Sequence, residues 1–413
     1  MYDPYSLFEN EVLLNGLRLH VLCVPEISFE IVTFIVHTGG FKDPASAPGL
    51  AHFLEHVVCS SSGRTVTEMS RFFGNEGGDF SANTDGKRTE YGFVAPISSP
   101  RFQEFADFFG TALLNPKFDT VVERERATIL SEFGNRFKSE KDVSFKLALN
   151  SALYPGTPLA TTLGGIGTKE SVRSISTEQL YEHHKTHYVP KNISVVCVGG
   201  MSVREVVSML ERAGFDADVP HNEASGRQKF QMPKKPSKAL LECNFADEGK
   251  VLNSTCAFHW LVEAEHIVVS FYTNIVSQLL MSALRGNDTS IVYGAHAEME
   301  DLRDFIGLTV VAENFLPEYE KMVQAVMQEQ VDAVPQYESL FNEDKRSRLL
   351  GFTMRDETLR SVSEDATRSL LKYGKIKSLK EYMGTIESVT FDDVINVARQ
   401  VTNERRLIVF ERH

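Results

Sequence analysis

Two histidines and a glutamate lie within five residues of one another in the stretch "GLAHFLEHVV" (Gly49–Val58). On an α-helix His52 and His56 share a face because they are four residues apart, so both imidazoles can reach one metal ion. Catalytic zinc sites combine three protein ligands with a water molecule whose pKa falls to about 7. Glu55, adjacent to a ligating histidine, is better placed to take a proton from that water than to bind the same ion. The stretch therefore predicts a zinc site with Glu55 as general base, the alternative being two buried histidines on an apolar helix.

A third ligand is expected from another segment, and Val121–Phe137 is the acid-rich helical stretch of the first half. Glu125 and Glu132, seven residues apart, share a helix face near the apolar side, and either could reach inward. An acid near a helix start is also explained by the helix dipole, which fits Glu125 but fits Glu132, in mid-helix, poorly. The pattern therefore favours Glu132 over Glu125 as the third ligand.

A competing metal site is the stretch "YEHHKTHY", where His183 and His187 are again four residues apart with His184 between them. No carboxylate lies between His183 and His187, and the following "HYVPKN" is typical of an exposed connection from helix to strand. Solvated or locally hydrogen-bonded histidines are the favoured interpretation.

Start signals for helices flank the first motif. Ser46 and Pro48 are a plausible cap and first-turn proline for a helix that runs through the motif to about Cys59. Thr65 and Glu68 have the spacing of a capping box and predict a second helix that ends before "NEGG".

The order of predicted elements repeats in the two halves of the chain. Apolar and β-branched runs predict strands, and residues 220–238, with three prolines and a glycine, predict a linker between domains 1–219 and 239–413. The repeat indicates an α+β fold of two homologous domains, each an antiparallel sheet covered by helices. Only the first domain carries the metal motif, since the second has "IVSQLLMSALR" in its place. The predicted elements are strands at 18–24, 30–37, 79–84, 89–95, 193–200, 239–245, 254–261, 290–298, 305–312 and 406–411, and helices at 102–114, 120–137, 177–187 and 267–285.

Composition restricts the class of protein. The chain has 413 residues, 42% hydrophobic and 24% charged, which is typical of a soluble globular protein with two domains. No run approaches the ~18–20 apolar residues of a membrane helix, so no membrane association is expected. The net charge of −13 argues against nucleic acid as a partner and permits a basic peptide. Five scattered cysteines and an acidic N-terminus without a signal sequence predict a cytoplasmic location.

Taken together, these motifs resemble the pitrilysin and mitochondrial-processing-peptidase family, the inverzincins, whose HxxEH inverts the usual zincin order. The resemblance covers nearly the whole chain, including "LLNGLRLHVL", "GNEGGDFSANTDGKRTEYGF", "ERERATILSEF", "LGGIGTKESVRSISTEQL" and "YVPKNISVVCVGG". It implies zinc as cofactor, with Glu132, 76 residues beyond His56, as third ligand. It also implies that Glu125 supports the site without binding the ion.

The resemblance further implies that substrate pairs with an edge strand near the zinc, here Asp79–Thr84, by β-augmentation. The residues concerned are Ser81, Ala82 and Asn83, and the family usually has Asn-Ala where this chain has Ser81 and Ala82. Family members also hold substrate with an Arg and a Tyr seven residues apart. The matching positions here are Arg285 and Tyr293, which are eight apart.

The function implied is a zinc-dependent endopeptidase that cleaves peptides or unstructured segments. Short members of the family close a chamber by pairing with an identical chain or a non-catalytic homologue, so a homodimer or heterodimer is expected. The alternative is a non-catalytic scaffold or partner subunit. Such relatives typically lose one or more motif residues, whereas all four are present here.

Overall fold

The computed structural model of the chain describes residues 2–62, 64–163, 165–217, 231–245, 251–286, 290–302, 304–353 and 358–413. Up to residue 217 its elements are β1 (Glu9–Val12), β2 (Arg18–Cys23), β3 (Phe29–Val36), α1 (Leu50–Ser60), α2 (Val66–Gly74), β4 (Asp79–Thr84), β5 (Thr89–Pro96), α3 (Phe102–Leu114), α4 (Val122–Arg136), α5 (Glu140–Leu153), α6 (Lys169–Ser174), α7 (Thr177–His187), β6 (Ile193–Gly199) and α8 (Val203–Arg212). From residue 231 they are β7 (Leu240–Asn244), β8 (Ser254–Val262), α9 (His266–Arg285), β9 (Gly294–Asp301), β10 (Ile306–Phe315), α10 (Glu320–Ala333), α11 (Glu338–Thr353), α12 (Leu359–Tyr373), α13 (Leu379–Ser388), α14 (Phe391–Gln400) and β11 (Leu407–Arg412).

The two sheets share one topology, which confirms the predicted α+β fold of two related units. The first sheet has the order β1-β2-β6-β3-β5-β4 and the second β7-β11-β8-β10-β9, so they correspond strand by strand apart from the extra β1. Neighbouring strands are antiparallel except β2 with β6 and β7 with β11, which are parallel. The sequence predicted antiparallel sheets without these parallel pairs. Each pair forms because the last strand of the sheet in sequence, β6 or β11, lies next to β2 or β7.

Strand β6 shows how the first sheet is covered. Its sequence "ISVVCVG" is almost continuously apolar, and all seven residues are buried, as expected of a strand with both faces covered. Strand β4, at the sheet edge, instead alternates between exposed and half-buried residues. Its main chain pairs with β5 on one side.

Two compact units each include a helix from the opposite half of the sequence. The first comprises the described parts of Met1–Lys138, Thr162–Gln228 and Asp356–Lys380, and the second those of Ser139–Thr161, Lys229–Arg355 and Glu381–His413. Helix α12 therefore packs on β3 and β6 of the first unit, and α5 packs on β8 of the second. Much of the predicted linker, 220–230, lies outside the described residues, and the domains 1–219 and 239–413 stay a prediction.

Helix α1 begins later than predicted from Ser46 and Pro48. Its cap is Gly49, which has φ 91°, and a β-carbon there would lie 2.5 Å from the carbonyl oxygen of Ile166. The Asp43 carboxylate accepts hydrogen bonds from the backbone N–H of Gly49 and from that of Ala51, at 2.7 and 2.8 Å. A carboxylate six residues before Gly49 thus accepts the backbone hydrogen bonds that a serine at the cap was expected to accept.

Helix α9 is long and apolar enough to cross a membrane by length and composition. In the structure its apolar side chains form the core of the second unit, against β8 and β10. The expectation that no segment is long and apolar enough to cross a membrane was therefore wrong for α9. The burial of this helix in the core accounts for its composition. The buried residues of α9 are Val269, Phe271, Tyr272, Thr273, Ile275, Val276, Leu279, Leu280 and Leu284.

Candidate metal centre

Helix α1 holds both histidines of the motif on one buried face. His52 and Glu55 are each 8% exposed, and the ring centroids of His52 and His56 are 4.8 Å apart. The helix packs against α4, α7 and β4. The apolar residues between the histidines fix the helix in the core, so the imidazoles point together toward α4.

Glu132 of α4 completes a group of three possible ligands. Its Oε2 lies 3.6 Å from Nε2 of His52 and 3.4 Å from Nε2 of His56. Its Oε1 accepts a hydrogen bond from Nη2 of Arg136 at 2.8 Å, which directs Oε2 to the histidines. One atom of each of the three residues lies within 4.8 Å of the other two.

The spacing and chemistry of this group fit zinc. Two ligands at ~2.0–2.2 Å from a tetrahedral zinc ion lie about 3.4 Å from each other. The separations of Glu132 Oε2 from the two imidazoles, 3.6 and 3.4 Å, are close to that value. In the part of the chain that the structure describes, no other cluster of His, Cys, Asp or Glu qualifies as a metal site.

Glu125 contacts the Nδ1 side of the His56 ring. Its Oε2 lies 3.5 Å from Nδ1 of His56, and its Oε1 accepts hydrogen bonds from Ser60 at 2.8 Å and from Arg124 at 2.9 Å. The residue is 3% exposed. By engaging Nδ1 it leaves Nε2 of His56 directed at Glu132, an arrangement that sets ring orientation in metal sites.

The charges of the group follow from its contacts. The hydrogen bond to His56 lowers the pKa of Glu132. Burial opposes ionisation of Glu125, but hydrogen bonds from His56, Ser60 and Arg124 outweigh it and lower its pKa. Burial lowers the pKa of His52 to about 4, and His56 contributes in the same direction. Burial also disfavours charge on His56, but the two glutamates raise its pKa to about 9. A cation bound here displaces that proton.

Glu55 is buried on α1 beside Thr84, the last residue of strand β4. Burial raises the pKa of Glu55, and the side chain of Thr84 opposes this in part. A carboxyl group with a raised pKa beside a metal centre suits general base catalysis near neutral pH.

The predicted peptide-binding residues lie on the edge strand β4, and its two faces differ. Phe80 stacks on Phe73 of α2, with ring centroids 5.5 Å apart, and Thr84 contacts α1, so Ala82 between them faces the helices. Ser81 and Asn83 face the other side of the sheet, next to α12. Among the described residues β4 pairs only with β5, so its other edge has no strand partner, and the side chains of Ser81 and Asn83 lie on the face opposite to α1.

Arg285 and Tyr293 belong to the second unit. Arg285 is the exposed last residue of α9, and Tyr293, 72% exposed, precedes β9. Their role as substrate-holding residues stays a prediction.

Of the three histidines of α7, His183 and His184 are buried and His187 is half-buried, so the predicted exposed setting was wrong, whereas the alternative of a hydrogen-bonded histidine is confirmed for His184. His184 Nε2 lies 2.8 Å from the carbonyl oxygen of Leu113, and the rings of His183 and His187 have centroids 4.6 Å apart. Burial, the largest cause for each of these three histidines, lowers the pKa of His183 to about 3 and those of His184 and His187 to about 4. The turn after α7 is buried because Tyr188 packs into the core.

Asp43 and Thr84 were not predicted, although both contact the helix that carries the motif. Asp43 could have been found by searching for caps beyond the residue next to the helix. Thr84 could have been found from the two-residue period of β4, which places it on the face of Phe80 and Ala82.

Comparison with known proteins agrees with this geometry. Residues 27–166 match the family described as Insulinase (Peptidase family M16), and residues 174–334 match Peptidase M16 inactive domain. This chain belongs to peptidase family M16. The resemblance inferred from the motifs is thereby confirmed, and the matches assign the metal motif to the first part of the chain and an inactive domain to the second.

Relatives in family M16 span most of this chain. An uncharacterized zinc protease of Mycobacterium leprae is 24% identical over 404 residues, covering 95% of this chain and 88% of the relative. The mitochondrial-processing peptidase subunit beta of Blastocladiella emersonii is 25% identical and covers 96% and 86% of the two chains. A protease from Helicobacter pylori has the same fold, with a TM-score of 0.80, 17% identity and full coverage of both chains.

Proposed function

We propose that this M16 protein is a zinc-dependent endopeptidase with His52, His56 and Glu132 as zinc ligands and Glu55 as general base. The observation that carries the proposal is the position of Glu132, which reaches both histidines from a different helix at 3.4 and 3.6 Å. A chance HxxEH on a core helix does not require a carboxylate from another segment at ligand spacing.

The residues of the chain have separate roles in the reaction. Bound zinc would polarise the peptide carbonyl and make water acidic enough to attack it near neutral pH. Glu55 takes a proton from the attacking water and returns it to the leaving amine. Glu125 keeps His56 oriented, and Arg136 keeps Glu132 directed at the histidines.

Substrate and assembly are proposed from the edge strand and the relatives. An extended peptide pairing with the free edge of β4 would pass beside Glu55, with Ser81, Ala82 and Asn83 supplying main-chain hydrogen bonds. Such pairing requires an unstructured segment. We propose that a dimer, of two identical chains or with a homologue, closes a chamber around it. Arg285 and Tyr293 would hold substrate from the second unit.

Hydrolysis of unstructured quenched fluorescent peptides by the purified protein tests this function, with Glu55→Gln as the variant. We expect kcat/KM to fall about 10²–10⁴-fold in Glu55→Gln, with zinc still bound at the wild-type ratio. Glu123→Gln, on the exposed start of α4, is the matched control and should keep wild-type activity.

Full activity of zinc-loaded Glu55→Gln would refute the assignment of the base. Native protein purified without chelator and found to lack zinc and peptidase activity would favour the non-catalytic alternative. The particle mass, measured together with zinc content, distinguishes the proposed dimers, since one zinc per two different chains indicates a heterodimer.

A further inference from the structure

A polar cavity lies in the first unit between strand β4 and helix α12. Ser81 and Asn83, both exposed, line it from β4, on the face of the sheet opposite to α1. Its volume is about 430 Å³, within the ~300–1,000 Å³ of pockets that bind ligands. All of the residues that line it belong to the first unit. The cavity is therefore next to the strand edge proposed to bind peptide.

Helix α12 presents a polar face to this cavity. The residues concerned, at positions i, i+3, i+4 and i+7 of one helix face, are Arg360, Ser363, Glu364 and Thr367. Ser363 and Thr367 are only 3% and 5% exposed. Neither hydroxyl group has a hydrogen-bond partner in the part of the chain that the structure describes. Because buried polar groups ordinarily have a partner, we expect these two hydroxyl groups to bind water or a ligand.

A peptide paired with the free edge of β4 would place alternate side chains at this cavity. Side chains that lie side by side on adjacent strands point to the same face of a sheet. The peptide residues beside Ser81 and Asn83 would therefore face α12, and the residue between them, beside Ala82, would face α1. Adjacent strands are ~4.8 Å apart, a distance that a side chain as long as glutamine or methionine spans. Two positions of the peptide, separated by one residue, thus reach the cavity.

The groups that line the cavity distinguish polar from apolar side chains. A polar side chain can replace the hydrogen bonds that water makes with Ser363 and Thr367. A large apolar side chain displaces the water and leaves both hydroxyl groups without a partner. Arg360 and Glu364 lose hydration in the same way, since neither forms an ion pair with a described residue.

We propose that this cavity is a specificity site that selects polar side chains over large apolar ones at alternate residues of the peptide. The inference rests on the proposed function, because it requires a peptide paired with β4. It assigns to α12, a helix from the second half of the sequence, a part in the choice of substrate.

Peptides that differ by glutamine or methionine at one position test this selection, because these side chains are similar in size and differ in hydrogen bonding. Each position of one quenched fluorescent peptide is substituted in turn, and kcat/KM of the zinc-loaded protein is measured. We expect a glutamine-to-methionine ratio of about 5–50 at two positions separated by one residue. The ratio at the residue between them, which faces α1, should be 1 or less. The affinities of the same peptides for zinc-loaded Glu55→Gln, measured by fluorescence anisotropy, should alternate in the same way.

A double variant, Ser363→Ala with Thr367→Val, removes both hydroxyl groups from the cavity. We expect the ratio at the two facing positions to fall to within about twofold of 1, because water no longer has these hydrogen bonds to lose. Ser369→Ala is the matched control. Ser369 is buried on the same helix but does not line the cavity, and its hydroxyl donates to the carbonyl of Lys375 and accepts from the N–H of Lys377. This variant should keep the wild-type ratios even if its melting temperature falls.

Ratios that do not alternate in the wild type would overturn the inference, as would an alternation that the folded double variant retains. The wild-type series decides by itself if the double variant does not fold. A zinc-loaded wild type that neither hydrolyses nor binds any of the peptides would instead refute the proposed function. Hydrolysis without alternation refutes the specificity site alone, so the two failures are distinguishable.

Discussion

His56 lies between two carboxylates that should affect zinc differently. Glu132 lies next to Nε2 of His56, the nitrogen that would bind the ion together with Glu132. Glu125 contacts Nδ1, on the opposite side of the ring. We expect Glu132→Gln to lower zinc affinity more than about 100-fold and Glu125→Gln about 10- to 100-fold. Competition with a zinc-binding dye measures both. Equal losses in the two variants would contradict the assignment of Glu132 as ligand.

Glu30 provides a pH test away from the metal centre. It is fully buried in β3, its Oε2 accepts a hydrogen bond from the N–H of Met201 at 3.0 Å, and Oε1 has no partner in the described structure. Burial raises the pKa of Glu30 from 4.5 to about 8. The folded state therefore holds a proton that the unfolded state releases, so this contribution to stability is complete below pH 4.5 and is lost as pH rises through 8.

Glu30→Gln keeps the acceptor for Met201 and does not titrate. We expect its free energy of unfolding, relative to the wild type, to increase between pH 4.5 and 8. Denaturant unfolding of both proteins at several pH values measures the difference, in which the other titrating groups cancel. A difference that is constant or falls over this range would contradict the raised pKa of Glu30.

At the scale of the element, the start of α1 depends on a glycine. Gly49 has φ 91°, and an added β-carbon would meet the backbone of Ile166 at 2.5 Å. We expect Gly49→Ala to lower the free energy of unfolding by about 2–4 kcal/mol, from the left-handed backbone and the steric contact. Because α1 carries His52 and His56, zinc affinity should fall as well.

Gly134 is the matched control for Gly49, because it lies inside α4 on its exposed side with no atom within 4 Å of an added β-carbon. Gly134→Ala should raise stability by about 0.5–1 kcal/mol, the usual gain in a helix interior. Thermal unfolding of the two variants is the measurement. Equal effects of the two substitutions would show that the backbone conformation at Gly49 is not required.

The sequence predicted those elements whose signals are local. The capping box of Thr65 and Glu68 and the two-residue period of β4 are both found in the structure. The start of α1 was predicted wrongly because its capping carboxylate, Asp43, is separated from the helix by a loop. Helix α5, with a hydrophobic side that is weak along its own sequence, was not predicted. Its position is decided by packing on a sheet formed by distant residues.

The same limit applies to the candidate site. Helix period alone left Glu125 and Glu132 as alternatives, since residues seven apart share a face. The structure distinguishes the two by their contacts. Glu125 contacts Nδ1 of His56, whereas Glu132 lies next to Nε2 of both histidines.

At the scale of the whole molecule, each unit depends on a helix from the opposite half of the sequence. Residues of β6 are buried on both faces, and the face that includes Val196 and Val198 lies on the side of α12, which packs on β3 and β6. Val362 and Leu370 of α12 are buried in the same unit. Each buried aliphatic side chain contributes roughly 1.5–3 kcal/mol to stability. The free energy lost by removing α12 is therefore comparable with the ~5–15 kcal/mol free energy of unfolding of a domain.

Residues 1–219 expressed alone should therefore not fold cooperatively, although the linker prediction places a domain boundary there. The fragment lacks α12 and leaves α5 without β8, the strand on which it packs. We expect it to bind a hydrophobic dye and to unfold without a sharp transition. Co-expression with residues 239–413 should give a complex that unfolds cooperatively and binds zinc, because that fragment returns α12 to the first sheet. A fragment 1–219 that melts within a few degrees of the intact chain would show that the exchanged helices are not needed for folding.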